Sequence, residues 1–262
     1  MSLSTVYGRL ARPLLSTIDT VRGRGERDVK PGPDGRPLPP ERMLITITGA
    51  NQVDHEWFWR VGRQDYESLK TVAAQAGIPA ERMDAVLDFG GGLGRIARHW
   101  IDDAPAIHLA DYNRPVVKWV QNHLPQIAAV QNGIEPPLPY DDGTFDLLYA
   151  FSVFTHFDDG QQHTWLAEVR RVLRPGGIAI LSLLGDREGE AGLEQPELER
   201  FRAGEIIVSR GYITSSNACL AWVPQRWLRE NLPAGLELER HWDAHDYWWK
   251  TTHDFVQLRR VT

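Results

Sequence analysis

The sequence predicts an α/β protein built on a doubly wound, mostly parallel sheet, and three observations carry that expectation. Short apolar strands alternate with helical patterns between residues 65 and 184. A glycine-rich turn follows the first of those strands, and the run GIAILSLL (177–184) is continuously apolar, as expected of a strand covered on both faces. Such a sheet needs right-handed crossovers and binds ligands at the carboxyl ends of its strands, near the point where strand order reverses.

The elements follow in chain order. Leu69, Val72, Ala73 and Ala76 fall at i, i+3, i+4 and i+7, and Gly77 supplies a helix stop. AVLDF (85–89) reads as a strand, and Leu93, Ile96, Ala97 and Trp100 repeat at helical spacing after it. AIHLADY (106–112) is a second strand. Pro115 opens the next helix, because a proline in the first turn loses no intrahelical bond, and Val117, Val120 and Leu124 line its apolar side. IAAV (127–130) and FDLLYAF (145–151) are strands, and Asp158 is placed to cap a helix that buries Trp165, Val169 and Val172. RPGG ends that helix before GIAILSLL. Residues 186–223 show no clear pattern, 224–231 read as a helix, and 236–243 and 254–261 as a strand pair.

At 262 residues the chain has room for one substantial core. Residues 22–41 mix glycine, proline and charge without an apolar period, so residues 1–42 read as an arm or linker, partly disordered, ahead of a domain spanning 43–262. Within that domain 84–185 form the alternating half, while 50–77 and 186–253 supply capping elements. The arm has two readings, docking on a second copy in a homodimer and plain disorder.

Hydrophobic residues make up 42% and charged residues 24%, an ordinary globular composition. No run of 18 apolar residues and no cleavable leader pattern is present, so neither a membrane span nor export is expected. Cys219 is the sole cysteine, which precludes an intrachain disulfide and fits a cytoplasmic location. The net charge is −6; residues 1–40 carry seven Lys/Arg against four Asp/Glu, leaving −9 on the remainder. An acidic body without a basic cluster argues against nucleic acid as a partner and for a small acceptor.

The candidate chemistry centres on DFGGGLG (88–94). Gly90, Gly92 and Gly94 alternate after a strand, where absent Cβ atoms permit positive φ and let a ligand lie against backbone N–H donors. A dinucleotide fingerprint needs glycine where Arg95 stands, which disfavours NAD. Asp111 ends the second strand, 17 residues after Gly94, where a carboxylate accepts both ribose hydroxyls of a nucleoside; Tyr112 stands beside it, placed for the sugar or base or for the core.

With these residues in place the chain resembles the class I, Rossmann-like, S-adenosylmethionine-dependent methyltransferases, loosely the branch associated with O-methylation of glycans and secondary metabolites. The resemblance is carried by DFGGGLG, LADYN (109–113), LPYDDGTFD (138–146) and VLRPGG (172–177), in register over about residues 84–185. It implies a seven-stranded sheet with the last strand antiparallel and an N-terminal helical cap. It also implies S-adenosylmethionine as cofactor, with Asp88, Gly90, Gly91 and Gly92 facing the methionine portion, Asp111 the ribose, and Asn132 and Gly133 the adenine. Gly91 replaces a frequent cysteine, a change of little expected weight, and Ile134 stands where the family often has an acidic residue. Phe151 and Ser152 edge the methyl-transfer site.

His156, just past the fourth strand, is the candidate general base, since histidine titrates near neutrality; loop packing is its competing reading. Trp57 and Trp59 in DHEWFWRVGR, with Trp248 in YWW, are candidate acceptor contacts because indole faces stack on sugar rings, with core filling as the competing reading. Arg60 or Arg63 is a candidate partner for the cofactor carboxylate. The segment 241–254 concentrates three histidines with Asp243, Asp246 and Asp254, but its spacing matches no metal motif, so a divalent cation is conceivable and none is expected. The expected function is O-methylation of a sugar, glycan precursor or related small molecule. The alternatives are N- or C-methylation of another metabolite, and an inactive cofactor-binding partner subunit.

Overall fold

The computed structural model describes residues 29–48, 54–103, 105–210, 219–243 and 252–262. Two helices come first, α1 (Glu41–Thr48) and α2 (His55–Gln75). Asp54 caps α2 by accepting the Trp57 amide at 2.7 Å. The helix runs 21 residues, so the tryptophan segment and the stripe predicted from Asp65 belong to one rod.

The strands are β1 (Ala85–Phe89), β2 (Ala106–Asp111), β3 (Ala128–Gln131), β4 (Phe145–Ala150), β5 (Leu173–Leu183), β6 (Ile207–Arg210), β7 (Cys219–Trp222), β8 (Leu236–Trp242) and β9 (Asp254–Arg260). Seven of them form one sheet in the order β3-β2-β1-β4-β5-β9-β8. β1 to β5 are mutually parallel, and β9 runs antiparallel between β5 and β8. This is the predicted seven-stranded arrangement. The chain leaves β1 outward through β2 and β3, then returns to lay β4 on the other side of β1. The crevice therefore opens between the carboxyl ends of β1 and β4.

Neighbouring residues in these strands enter opposite cores, as a period of two requires. Val86, Leu147 and Ile178 join the cluster on one face, under α2 and α3 (Arg114–His123); Leu87, Leu148 and Ala179 join the other, under α4 (Asp159–Val172). α4 opens with a capping box between Asp158 and Gln161 and buries Trp165, Val169 and Val172 as predicted. β6 and β7 form a separate hairpin-like pair.

Three expectations are corrected. Residues 93–100 form no regular helix; successive turns lead into a single 3-10 turn at Ala97–Trp100, because Gly94 still holds φ +73° and Arg98 and His99 are buried along with the apolar residues. Residues 186–210 and 219–223 hold regular elements, α5 (Asp186–Gly192), α6 (Glu197–Arg202), β6 and β7, each too short to give a periodic signal. Residues 225–231 form α7 (Gln225–Asn231), as expected.

The third correction concerns the arm. Its residues 29–40 are docked rather than loose: Leu38 is buried, its amide donates to the Lys30 carbonyl, and Pro31 bridges to Pro37. The anchor is ionic. Arg98 has a side chain with 0% exposure, and its Nη2 and Nε donate to Asp34 Oδ1 and Oδ2 at 2.9 and 3.1 Å. Composition could not show this partner 64 residues away.

Although burial opposes it, the Arg98 guanidinium holds the Asp34 carboxyl below its ordinary value. The stabilisation from this pair is complete above the usual carboxylate range and is lost as pH falls through the depressed value. Asp34→Ala, which leaves Arg98 buried without its partner, is expected to cost about 3 kcal/mol in urea unfolding at pH 7. The difference from the parent should shrink on acidification; a variant as stable as the parent at pH 7 would show the arm to be unanchored.

Candidate active site

The turn leaving β1 is built as its spacing predicts, with Gly90, Gly92 and Gly94 at φ +71°, +55° and +73°. A Cβ at Gly90 would fall 2.3 Å from Cγ2 of Val153, in the loop after β4, so the missing side chain lets the two crevice walls meet. Gly91 carries more weight than expected. A Cβ there would lie 2.6 Å from Cγ of Asp88 and 2.7 Å from Cδ1 of Leu109, so any side chain displaces the carboxyl that the site depends on.

Asp111 ties this turn to β2. Its Oδ2 accepts the Gly92 amide at 3.0 Å and its Oδ1 the Asn113 amide at 2.8 Å. Each oxygen retains a second lone pair for a hydroxyl donor. Tyr112 beside it is 55% exposed, which removes the core reading and leaves its ring at the rim. In the loop after β3, the Asn132 amide donates to the Asp111 carbonyl at 3.2 Å, its side-chain amide to Gly133 at 2.6 Å, and Gly133 is exposed.

Two buried oxygens around the turn, Asp88 Oδ2 and Asn132 Oδ1, have no hydrogen-bond partner of good geometry among the described residues. Burial pushes the Asp88 carboxyl up to about 7, opposed by the Tyr149 hydroxyl, the nearby Arg95 guanidinium and the Ala97 amide. Asp88 Oδ2 still lacks a well-placed donor, and so does the Asn132 amide oxygen. A ligand carrying an ammonium group, vicinal hydroxyls and an amino-substituted ring fits this set.

Arg95, noted in the sequence only as a break in the dinucleotide pattern, is the cation beside the turn. It pairs with buried Asp65 of α2 and lies over the Trp57 ring, while its carbonyl sits where a Cβ of Gly62 would fall. Arg63 is engaged elsewhere, pairing with Glu67 at 2.6 Å on the exposed face of α2, and Arg60 is exposed. Trp59 packs on His99 with ring centroids 4.5 Å apart and under the Arg98 guanidinium. Trp57 and Trp59 thus join α2 to residues 95–99. Trp248 lies outside the described residues.

Across the crevice, Phe151 packs edge-on to Phe255 with centroids 4.9 Å apart. Ser152 holds φ +57°, a left-handed conformation rare outside glycine, and its amide donates to Ser182 Oγ at 2.7 Å. This strained residue, exposed at the carboxyl end of β4, presents Oγ 3.4 Å from His253 Nδ1, which also lies 3.3 Å from Ser182 Oγ. His156 Nδ1 donates to the Cys219 carbonyl at 2.8 Å, pinning the post-β4 loop to β7. Burial and nearby His156 lower His253 to about 4, against the opposing pull of Asp254. The sequence reading missed His253 as a site residue because it is remote in the chain from the β4 loop and blends into a histidine-rich segment.

The matched stretch in known proteins coincides with this geometry: residues 86–177 match the sequence model of the methyltransferase domain. The matched stretch runs from β1 into β5. Among curated relatives, it is 31% identical over 144 residues to the malonyl-[acyl-carrier protein] O-methyltransferase of Enterobacter lignolyticus (strain SCF1), covering 52% of this chain and 56% of that one. It is 26% identical over 157 residues to the sarcosine/dimethylglycine N-methyltransferase of Halorhodospira halochloris, covering 58% and 55%. The chain thus spans a little over half the length of each. The crystal structure of the glycopeptide N-methyltransferase MtfA complexed with sinefungin superposes with a TM-score of 0.54 at 16% identity, over 76% of this chain and 93% of that one. That likeness establishes the Rossmann-like methyltransferase fold. No helix of the described residues is long and apolar enough to cross a membrane.

Two substitutions test this end of the domain. Gly90→Ala is expected to cost about 1–2 kcal/mol from its backbone conformation, before the Val153 clash is counted, and to weaken binding of S-adenosylhomocysteine measured by calorimetry. For Asp88 the charged form is the costly one: the penalty is absent below the ordinary carboxylate range, grows as pH rises towards 7, and is full above it. Asp88→Asn should therefore raise the thermal midpoint of the ligand-free protein at pH 8, by up to about 4 kcal/mol of stability, while weakening ligand binding. A lower midpoint at pH 8 would contradict the assigned burial cost.

Proposed function

We propose that the protein transfers a methyl group from S-adenosylmethionine to a hydroxyl of a small molecule, with sugars and glycan precursors as the acceptor class. The observation that carries this reading is the glycine turn clamped by Asp111 with orphaned Asp88 and Asn132 oxygens around it. The bound cofactor would supply a methyl already activated on a sulfonium. The protein's part is alignment and exclusion of water.

In this reading ionised Asp88 pairs with the ammonium of the methionine portion, and Gly90, Gly91 and Gly92 let that portion lie on the backbone. Asp111 takes the ribose hydroxyls on its remaining lone pairs, with Tyr112 over the sugar edge and Asn132 and Gly133 around the adenine. Phe151 forms an apolar wall at the methyl. Ser152, Ser182 and His253 make the acceptor side polar, which suits a polyhydroxylated molecule. His253, neutral at working pH, would take the acceptor proton, directly or through the Ser152 hydroxyl, while the acceptor oxygen gains the methyl whose bond to the sulfonium breaks, leaving a neutral thioether. His156 acts as a positioning residue, holding the loop after β4 against β7.

N-methylation is the second reading, favoured by the names of the sarcosine/dimethylglycine and glycopeptide enzymes that this chain resembles. An amine acceptor needs no base as strong, so His253 would then be dispensable.

Calorimetric titration with S-adenosylhomocysteine and with NAD tests the donor, and binding of NAD alone would refute it. Release of S-adenosylhomocysteine in the presence of hydroxylated sugars and of amines tests the acceptor. On a hydroxyl acceptor His253→Gln should lower kcat about 100-fold with little change in KM. His156→Gln should cost far less. Because His253 is deprotonated well below neutrality, parent turnover should be flat between roughly pH 6 and 8; full activity in His253→Gln would exclude it as the base.

A further inference from the structure

The β8–β9 hairpin carries a group of side chains that the methyl-transfer reading does not use. His241 and Asp243 are two residues apart, so they face the same side of the strand. One step beyond the paired residues Trp242 and Phe255, the ladder sets Asp243 opposite Asp254. Like charges directly opposite on one face repel, and the Asp254 side chain is 0% exposed, with its Oδ2 held by His241 Nε2. A divalent cation between the two carboxylates would relieve that repulsion.

The third corner is His241, whose Nε2 lies 2.9 Å from Asp254 Oδ2 and 3.8 Å from Asp243 Oδ1. One donor atom from each of the three residues lies within 4.8 Å of the others. These separations of 2.9 and 3.8 Å bracket the edge of about 3.4 Å between ligand atoms in a tetrahedral shell with bonds of about 2.1 Å. Two further features hold the ligands in place. The side-chain amide nitrogen of Gln225, on α7, meets His241 Nδ1; a flip of that amide, which exchanges its nitrogen and oxygen in place, would let it accept Nδ1–H and direct the Nε2 lone pair at the carboxylates, as metal-bound imidazoles require. Gly185, just past β5, leaves room for Asp254, since a Cβ there would fall 1.9 Å from Oδ2.

We propose that His241 Nε2, Asp243 Oδ1 and Asp254 Oδ2 form a binding site for a divalent transition-metal ion, Zn²⁺ in the first instance. One imidazole and two carboxylates suit Zn²⁺ better than thiolate-seeking ions. Asp243 is exposed, so the ion keeps coordination positions for water on the solvent side. Bound there, it neutralises both carboxylates and ties the β8–β9 hairpin to α7 and the end of β5. The site stands independently of the methyl-transfer reading.

The test is a calorimetric titration of the full chain with ZnCl₂ in a non-coordinating buffer, alongside Asp243→Asn, His241→Gln and, as a control at an exposed histidine of α4, His163→Gln. The parent and His163→Gln should bind one Zn²⁺ per chain with equal affinity, and Zn²⁺ should raise their thermal midpoints. Asp243→Asn and His241→Gln should bind about tenfold more weakly or worse. Asp243→Asn changes a side chain that faces solvent, so its circular dichroism and its affinity for S-adenosylhomocysteine should match the parent. Absence of stoichiometric binding in the parent, or parental affinity in Asp243→Asn, overturns the proposal.

Discussion

The hydrogen bond from the Gly92 amide to Asp111 Oδ2 joins the turn after β1 to the end of β2, and the architecture of the crevice follows from it. For that bond to form, three glycines must hold positive φ, so the chain cannot enter a regular helix until past Gly94. The delay brings Arg95 to the edge of α2, where its carbonyl occupies the space of a Gly62 side chain and its guanidinium pairs with Asp65. The cap helix is thereby fixed beside the turn through backbone contact and an ion pair. The same turn packs Asp88 under Gly91 without room for adjustment, and this steric closure leaves its carboxyl buried with Oδ2 short of a donor.

The opposite wall is organised differently. The β1 side is backbone held by glycines, whereas the β4 side is a set of polar side chains drawn from distant segments: Ser152 after β4, Ser182 in β5, His253 before β9, and His156 pinned to β7. Ser152 adopts its left-handed conformation because its amide is taken by Ser182 while its hydroxyl faces the crevice.

The parts of the site legible in the sequence are those encoded locally. DFGGGLG, Asp111 and the strands around them could be read because turn chemistry and strand period act over a few residues; the alternation gave a doubly wound sheet, and the resemblance its seven strands. Other features depend on residues far apart. Arg60 and Arg63 were the cation candidates, yet packing placed Arg63 on the outer face of α2 and set Arg95, which no motif singled out for that role, against the turn. Likewise Trp57 and Trp59 looked like an acceptor platform, yet their rings lie on Arg95, Arg98 and His99. The arm looked unfolded by composition because its anchor, Arg98, is a buried charge in another segment.

By itself the sequence determined the fold class, the alternation of strands and helices, and the glycine turn, since each rests on short-range sterics or on one apolar period. Tertiary structure alone decided which charges meet. The Asp34–Arg98 strap, the partner of Arg95, the company of His253 and the face shared by His241, Asp243 and Asp254 arise from register and packing between segments tens of residues apart. An ionic or hydrogen-bonding group carries no periodic signature, and its energetics depend on burial that only the folded chain defines.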